Sequence, residues 1–290
     1  MNILRKLFRD LTDSYWTIGF SDAKIPFDKR KFKDIKWLSP LKQSWIADPF
    51  ILSYDENCIE VLVEHFQDST QLGRICKLTV DRKKWQITSL EPILELSTHL
   101  SFPVIVRKDN KIYFYPENSA SGSLNVYELV NGTKAEKVAC LAKASLTDSI
   151  IFEKNGKYIM TTTEEPGSNK NRLLIYESNE LFGAYNQIHE FFLSDNTARN
   201  AGYTIKHAGK IYKVSQENNA PIYGHGIVIY EMDEDFNLSK VHEIMPEGKY
   251  KGIHTMNQYN DLVVWDARAY RHRFLGPIFS NLYRLLRKNA

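Results

Sequence analysis

Hydrophobic and polar positions alternate along the chain in short runs, and the runs come in pairs around turn residues. Asp48-Pro49-Phe50-Ile51-Leu52 is answered, past a polar turn, by Ile59-Glu60-Val61-Leu62-Val63-Glu64. The pair returns as Phe102 to Val106 with Ile112 to Glu117, as Asp148 to Phe152 with Tyr158 to Thr163, as Ala201 to Ile205 with Ile211 to Gln216, and as Ile253 to Met256 with Leu262 to Asp266. Asn, Gly and Asp between the members mark each pair as a β-hairpin. The hairpins begin near 48, 102, 148, 201 and 253, a spacing of 46 to 54 residues. Between them lie further strand-like runs, such as Ser123 to Glu128, Leu173 to Glu177 and Gly226 to Glu231. Four short strands in a period near 50, five times over, predict an all-β five-bladed propeller with four-stranded blades. A β-sandwich with accidental internal similarity is the competing architecture.

The fifth unit runs out of strands after Asp266, and an open sheet edge is a liability. Tyr15 to Gly19 or Ile35 to Leu38 is therefore expected to close the ring. Residues 1–270 read as one propeller domain, with 1–40 completing it, and short helices are expected at the termini.

Composition adds limits. The 290 residues are 43% hydrophobic and 25% charged, ordinary for a globular chain and enough to bury a core. A net charge of +3 is too small to imply nucleic acid. Three cysteines with no C-x-x-C pair argue against a disulfide framework or a structural zinc and for a reducing compartment. Neither a secretory signal nor a membrane-spanning run is recognisable. Walker and dinucleotide glycine fingerprints are missing too, and the reading calls for no metal and no cofactor.

The repeat also places polar residues. The first residue of strand one and the last of strand two meet at the same rim of each blade. Those positions hold Asp48 and Glu64, Ser101 and Glu117, Asp148 and Thr163, Arg199 and Asn200 with Gln216, and His254 with Asp266. Carboxylates flanked by Ile, Val, Phe and Tyr are costly to bury unless paired or poised. Converging with one Arg and one His, they outline a site for a polar, neutral ligand. Blander roles stand beside this one. Asp48 before Pro49 suits a turn, Asp148 suits a turn cap, Arg199 suits a counter-ion, Gln216 and His254 suit satisfied core groups, and Asp266 suits a partner for Arg268. Paired carboxylates fit glycosyl chemistry, one as base or nucleophile and one as acid. Trp45, Phe66, Phe102 and Tyr223 lie near the same rim and suit stacking on a sugar.

The stretch Ile46-Ala47-Asp48-Pro49-Phe50 resembles the first blade of the five-bladed propeller glycosidases, the arabinanase, xylosidase, levansucrase and invertase group. Trp16-Thr17-Ile18-Gly19, Ala47-Asp48-Pro49-Phe50, His99-Leu100-Ser101-Phe102-Pro103, Pro116-Glu117-Asn118-Ser119, Arg199-Asn200-Ala201-Gly202, Tyr223-Gly224 and Gly252-Ile253-His254-Thr255 more specifically resemble the N-terminal domain of plant glucosamine inositolphosphorylceramide transferases and its stand-alone bacterial relatives. The resemblance runs from about residue 14 to 268. It implies that Asp48 is the base or nucleophile and that Asp148 tunes the acid. The glycosidase acid, a Glu early in blade four, has no counterpart, since that stretch reads Thr197-Ala198-Arg199-Asn200-Ala201-Gly202. Glu117 or Glu64 would replace it, or a phosphate would leave without an acid, received by Arg199.

This departure favours a glycosyltransferase of bacterial surface-polysaccharide (capsule or lipopolysaccharide) biosynthesis, using a phosphate-activated sugar donor and a glycan or lipid-linked acceptor. Asp48, Asp148 and Glu117 are its expected catalytic residues. Glu64, Ser101, Arg199, Asn200, Gln216, Tyr223, His254 and Asp266 are its expected substrate contacts. An inverting glycoside hydrolase and a non-catalytic glycan-binding propeller are the alternatives. No acidic residue follows Asp266, whereas Arg268, Arg271, Arg273, Arg284, Arg287 and Lys288 do. With Phe274, Ile278, Leu282, Leu285 and Leu286 at helical spacing, 271–290 reads as a basic amphipathic helix. The chain is thus expected in the cytoplasm, peripheral at the inner face of the cytoplasmic membrane.

Overall fold

The computed structural model describes residues 12–219 and 223–280. Five antiparallel sheets stand around one axis, each following one repeat. Blade I is Ser44–Tyr54, Cys58–Gln67, Leu72–Asp81 and Gln86–Leu94. Blade II is Ser101–Lys108, Lys111–Glu117, Leu124–Val130 and Lys134–Ala142. Blade III is Leu146–Lys154, Lys157–Glu164, Arg172–Ser178 and Asn186–Phe192. Blade IV is Ile205–His207, Lys210–Glu217, Gly226–Met232 and Leu238–Ile244.

Blade V joins the two ends of the chain. Its innermost strand is broken into Tyr250–Gly252 and Met256–Tyr259, both paired with Leu262–Tyr270. Ser14–Asp22 and then Lys36–Trp37 complete it, so both candidate closing segments are used. Nine consecutive pairs from Ser14↔Tyr270 to Asp22↔Leu262 lock the seam.

Apolar side chains fill the layers between blades. Phe50, Leu62 and Ile75 pack with Phe102, Val104 and Phe114, and on to Ile150 and Met160. Ile18 and Phe20 pack on Ile46, Ile59 and Val61 across the seam. The middle strands of the blades therefore bury both faces, which explains their near-continuous apolar runs, whereas outermost strands such as Lys134–Ala142 and Asn186–Phe192 stay largely exposed. Below the rim the channel is filled: the Tyr203 hydroxyl crosses from blade IV to blade II, donating to Ile105 O at 2.7 Å and accepting from Ile105 N at 3.0 Å.

Blade IV starts its ladder later than the expected Ala201. Gly202 lies against blade V, where a Cβ would come 2.1 Å from Met256 O, so 201–204 runs as a connector with only an Asn200↔Ser215 bridge before it. At the C-terminus 275–280 is helical; 281–290, half of the expected amphipathic helix, and the basic-apolar start at 1–11 lie outside the described residues.

Candidate active site

The site is built by one local device used three times. In blades I, II and III the ladder skips between Ala47↔Glu64 and Phe50↔Leu62, Ser101↔Glu117 and Val104↔Tyr115, and Thr147↔Thr163 and Ile150↔Thr161. Two residues thus oppose one, a β-bulge, which re-aims a side chain. The first bulge residue has positive φ in each case: Asp48 at 49°, Phe102 at 45° and Asp148 at 43°. A non-glycine residue held there is strained and needs support from its surroundings. Pro49 and Pro103 follow two of the bulges, where the ladder asks for no N–H.

Ser101 was expected to match Asp48, but it stands one residue earlier, opposite Glu117, and Phe102 takes the bulge. Phe102 is core rather than a sugar platform: it is 1% exposed and packs edge-on against Phe50.

Two buried networks result. In the first, Asp266 is saturated. Its Oδ1 accepts the backbone N–H groups of His254 and Thr255, both at 3.0 Å, and its Oδ2 accepts Asp48 N at 3.0 Å and lies 2.7 Å from His254 Nδ1. Asp266 therefore holds the site and does not reach for substrate. Asp48 accepts from the Thr255 hydroxyl at 2.7 Å and from Phe102 N at 3.2 Å, with His254 Nδ1 3.7 Å away. Burial, with the Asp148, Glu64 and Asp266 charges, pushes the Asp48 carboxyl up to about 7 against the pull of His254. His254 is pushed up to about 9: burial opposes its charge, and the Asp266 and Asp48 carboxylates overcome that. Its ring stacks on Trp16 with centroids 3.9 Å apart and meets the edge of Tyr223 at 5.4 Å. Its Nε2 has no hydrogen-bond partner among the described residues.

In the second network Arg199 grips Asp148 through Nε at 2.6 Å and Nη2 at 3.2 Å, and Glu117 through Nη2 at 3.0 Å. Nη1 donates to Ser168 Oγ and Asn169 Oδ1. All five guanidinium donors are thus engaged by protein, which removes Arg199 as a ready receptor for a donor phosphate. Burial would raise Asp148, yet Arg199 overrides it and holds the carboxyl below its ordinary value. Glu117 goes the other way, well above its ordinary value through burial and the Asp148 charge. The two carboxyls, bridged by one guanidinium, are thus shifted in opposite directions. Environments that separate two carboxyls in this way are how sites assign acid and base.

Other expected contacts turn out to be supports. Asn200 clamps Asp148 O and Thr161 O at 2.7 and 2.8 Å. Gln216 gives its Nε2 to Asp148 Oδ2 and Asn200 O, leaving a buried Oε1 without a partner. Glu64 faces His99 Nε2 at 3.1 Å. Tyr223 is partly exposed beside Arg199. Trp45 and Phe66 stack on each other at 4.6 Å.

Residues not singled out as ligands complete the site: Trp16, Thr255, His99, Ser168 and Asn169. Lys213 was missed too; it is fully buried, donates to Ser215 Oγ at 2.7 Å and is lowered by burial to about 7. Its only signal was a Lys amid apolar strand residues. Asp48, His254 and Asp266 bring possible metal-ligand atoms within 4.8 Å of one another. Their fit to a cation is poor, because Asp266 already takes four N–H donors and His254 Nδ1 is turned to it.

Comparison with known proteins supplies a family. The model described as "Glucosamine inositolphosphorylceramide transferase 1, N-terminal" matches residues 38–268. Glucosamine inositolphosphorylceramide transferase 1 of Arabidopsis thaliana is 30% identical over 192 residues, covering 62% of this chain and 24% of that protein. Its namesake in Oryza sativa subsp. japonica is 25% identical over 203 residues, 66% of this chain and 26% of that protein. The chain thus spans about a quarter of the length of these curated relatives. Among solved structures, the β-xylosidase/α-arabinofuranosidase CoXyl43 from a compost metagenome has a TM-score of 0.54 at 14% identity, covering 77% of this chain and 84% of that one. The exo-β-1,3-galactanase of Phanerochaete chrysosporium has a TM-score of 0.53 at 13% identity, covering 72% and 54%. At such identities the likeness shows the fold.

Proposed function

Since the chain belongs to the family of the N-terminal part of glucosamine inositolphosphorylceramide transferase 1, we propose that it is a carbohydrate-active enzyme that forms a glycosidic bond at the acidic end of the channel. The observation that carries this reading is the Asp48 carboxyl, buried, held by Thr255 and Phe102 and raised to about 7. A base of that strength accepts a proton from an acceptor hydroxyl near neutral pH. Asp148 positions Glu117 through Arg199, and His254 offers Nε2–H to a sugar hydroxyl or to the leaving oxygen. The donor is phosphate-activated, and its phosphate is received without Arg199, whose donors are engaged.

The acceptor in this reading is a glycan or a lipid-linked sugar of bacterial surface-polysaccharide biosynthesis. The protein would meet it at the inner face of the cytoplasmic membrane. The support is the basic stretch after Asp266, with Phe274 and Ile278 at its exposed surface. Among the described residues no helix is long and apolar enough to cross a membrane.

One observation favours a second reading, inverting hydrolysis. The Glu117 carboxyl in the same ring is held well above its ordinary value by burial, the direction that suits an acid protonating a leaving sugar while Asp48 activates water. Incubation with panels of activated sugars plus acceptor glycans, and of glycosides alone, followed by proton NMR, separates the two. New glycoside with wild type and at least a hundredfold less with Asp48→Asn supports transfer. Reducing sugar released without donor supports hydrolysis, and turnover unchanged by Asp48→Asn removes the base from both.

A further inference from the structure

Away from the acidic ring, the connector between the third and fourth strands of blade V runs back past blade IV. Arg30 of this connector turns inward and is only 3% exposed. Its Nη2 donates to Gln258 Oε1 at 2.5 Å and its Nε to Ile25 O at 3.2 Å. Its Nη1 faces the Met256 thioether at 3.8 Å, a weak acceptor. Two of the five guanidinium N–H groups have no acceptor among the described residues, and no carboxylate there pairs with Arg30. This contrasts with Arg199, whose five donors and charge are matched by protein. A buried charge ordinarily has a partner, and leaving one unpaired is costly.

Arg30 borders a cleft of about 270 Å³ between the inner strands of blades IV and V. Tyr203, Thr204, Ile205, Lys206 and Gln258 line it with Arg30, and no lining residue is acidic. The Lys206 ammonium donates to Glu153 O at 2.8 Å, so its charge too has no carboxylate there. None of the acidic-ring residues lines this cleft, which is bounded by the Tyr203 that fills the channel.

We propose that this cleft is a second ligand site, for a phosphate-bearing small molecule whose oxyanion sits against Arg30 and Lys206. The fork geometry of a guanidinium with two free N–H groups suits a tetrahedral oxyanion. The remaining volume, edged by Thr204, Gln258 and Asn260, takes hydroxyl groups. The site does not depend on the chemistry assigned to Asp48.

Inorganic phosphate is the probe, titrated calorimetrically at constant ionic strength. Wild type should bind it saturably at one site. Gln258→Glu places a carboxylate against Arg30 and should weaken phosphate at least tenfold. Lys206→Met, at an exposed position, should weaken it about threefold, and keeps the test open if Gln258→Glu does not fold. Asp48→Asn should leave binding unchanged. No saturable binding to wild type overturns the proposal. So does equal affinity in the Gln258→Glu and Lys206→Met proteins, or loss of binding in Asp48→Asn, which would put the anion in the acidic ring.

Discussion

Asp266 accepts the backbone N–H of Asp48 at 3.0 Å, across a sequence separation of 218 residues. The contact lies on the seam where the C-terminal strand of blade V meets blade I. The same carboxylate takes His254 and Thr255, so one buried side chain fixes the strained bulge, the histidine and the Asp48 hydroxyl partner together. Glu117 repeats the move two seams away, accepting Asp148 N at 3.2 Å. Closing the ring and building the site are one event.

Asp266→Asn tests that coupling. An amide keeps the volume but presents N–H where two donors already point, so two of the four buried donors lose their acceptor. The expected cost is about 3 kcal/mol or more, as for breaking a buried charge pair. Urea unfolding measures it, and activity should fall with it. A loss below about 1 kcal/mol would mean that the seam closes without this carboxylate.

Thr255→Val tests how Asp48 is tuned. The hydroxyl donates to Asp48 Oδ1 at 2.7 Å, a bond that favours the ionised form. Removing it should raise the carboxyl further above about 7, moving the acid limb of the pH–rate profile to higher pH by about one unit. The rate on the alkaline plateau should change little. An unmoved limb would show that the base is another group.

Much of this was legible in the chain. Five hairpins near 48, 102, 148, 201 and 253 are visible because each strand is buried on both sides and alternates around Asn, Gly and Asp turns. Asp48, Asp148, Glu117, Arg199 and His254 stand out because a charge amid apolar strand residues is rare. What pattern could not supply was the direction of each side chain. Ser101 and Phe102 differ by one position, and only the bulge decides which faces inward. Asp266 and Asn200 looked like ligands because polarity marks a buried group without telling a support from a contact. Arg30 lies in a connector with no repeat, so nothing in the pattern marks it.

Arg199→Lys asks whether the guanidinium serves protein or ligand. An ammonium is a point donor and cannot span Asp148, Glu117, Ser168 and Asn169. Stability should fall by about 2–3 kcal/mol, since charge is kept but geometry is lost. Because every donor is engaged by protein, free sugars and phosphorylated sugars should lose affinity alike. A selective loss of phosphorylated ligands, read by calorimetry, would show that Arg199 turns to the donor after all.

His254 sets the alkaline limit of stability. Its folded value of about 9 stands above the ordinary 6.5, because the Asp266 and Asp48 carboxylates outweigh burial. A group raised on folding gives stability that is fully present below its unfolded value and is lost as pH rises through its folded one. For His254 the loss falls between about 6.5 and 9 and amounts to about 3 kcal/mol. Asp48, raised from 3.8 to about 7, acts in the same direction at lower pH: the native state keeps a proton that the unfolded chain has released. Wild-type stability should therefore decline from pH 4 to 7 through Asp48 and onward to 9 through His254. His254→Gln should remove the histidine's share of the loss between about 6.5 and 9, and by leaving Asp48 without its nearest positive charge it should carry the Asp48 loss to higher pH. Urea midpoints for wild type, His254→Gln and the Asp48→Asn/His254→Gln double variant at intervals from pH 5 to 9 would read this, and a decline above pH 7 that survives in the double variant would assign it to another group.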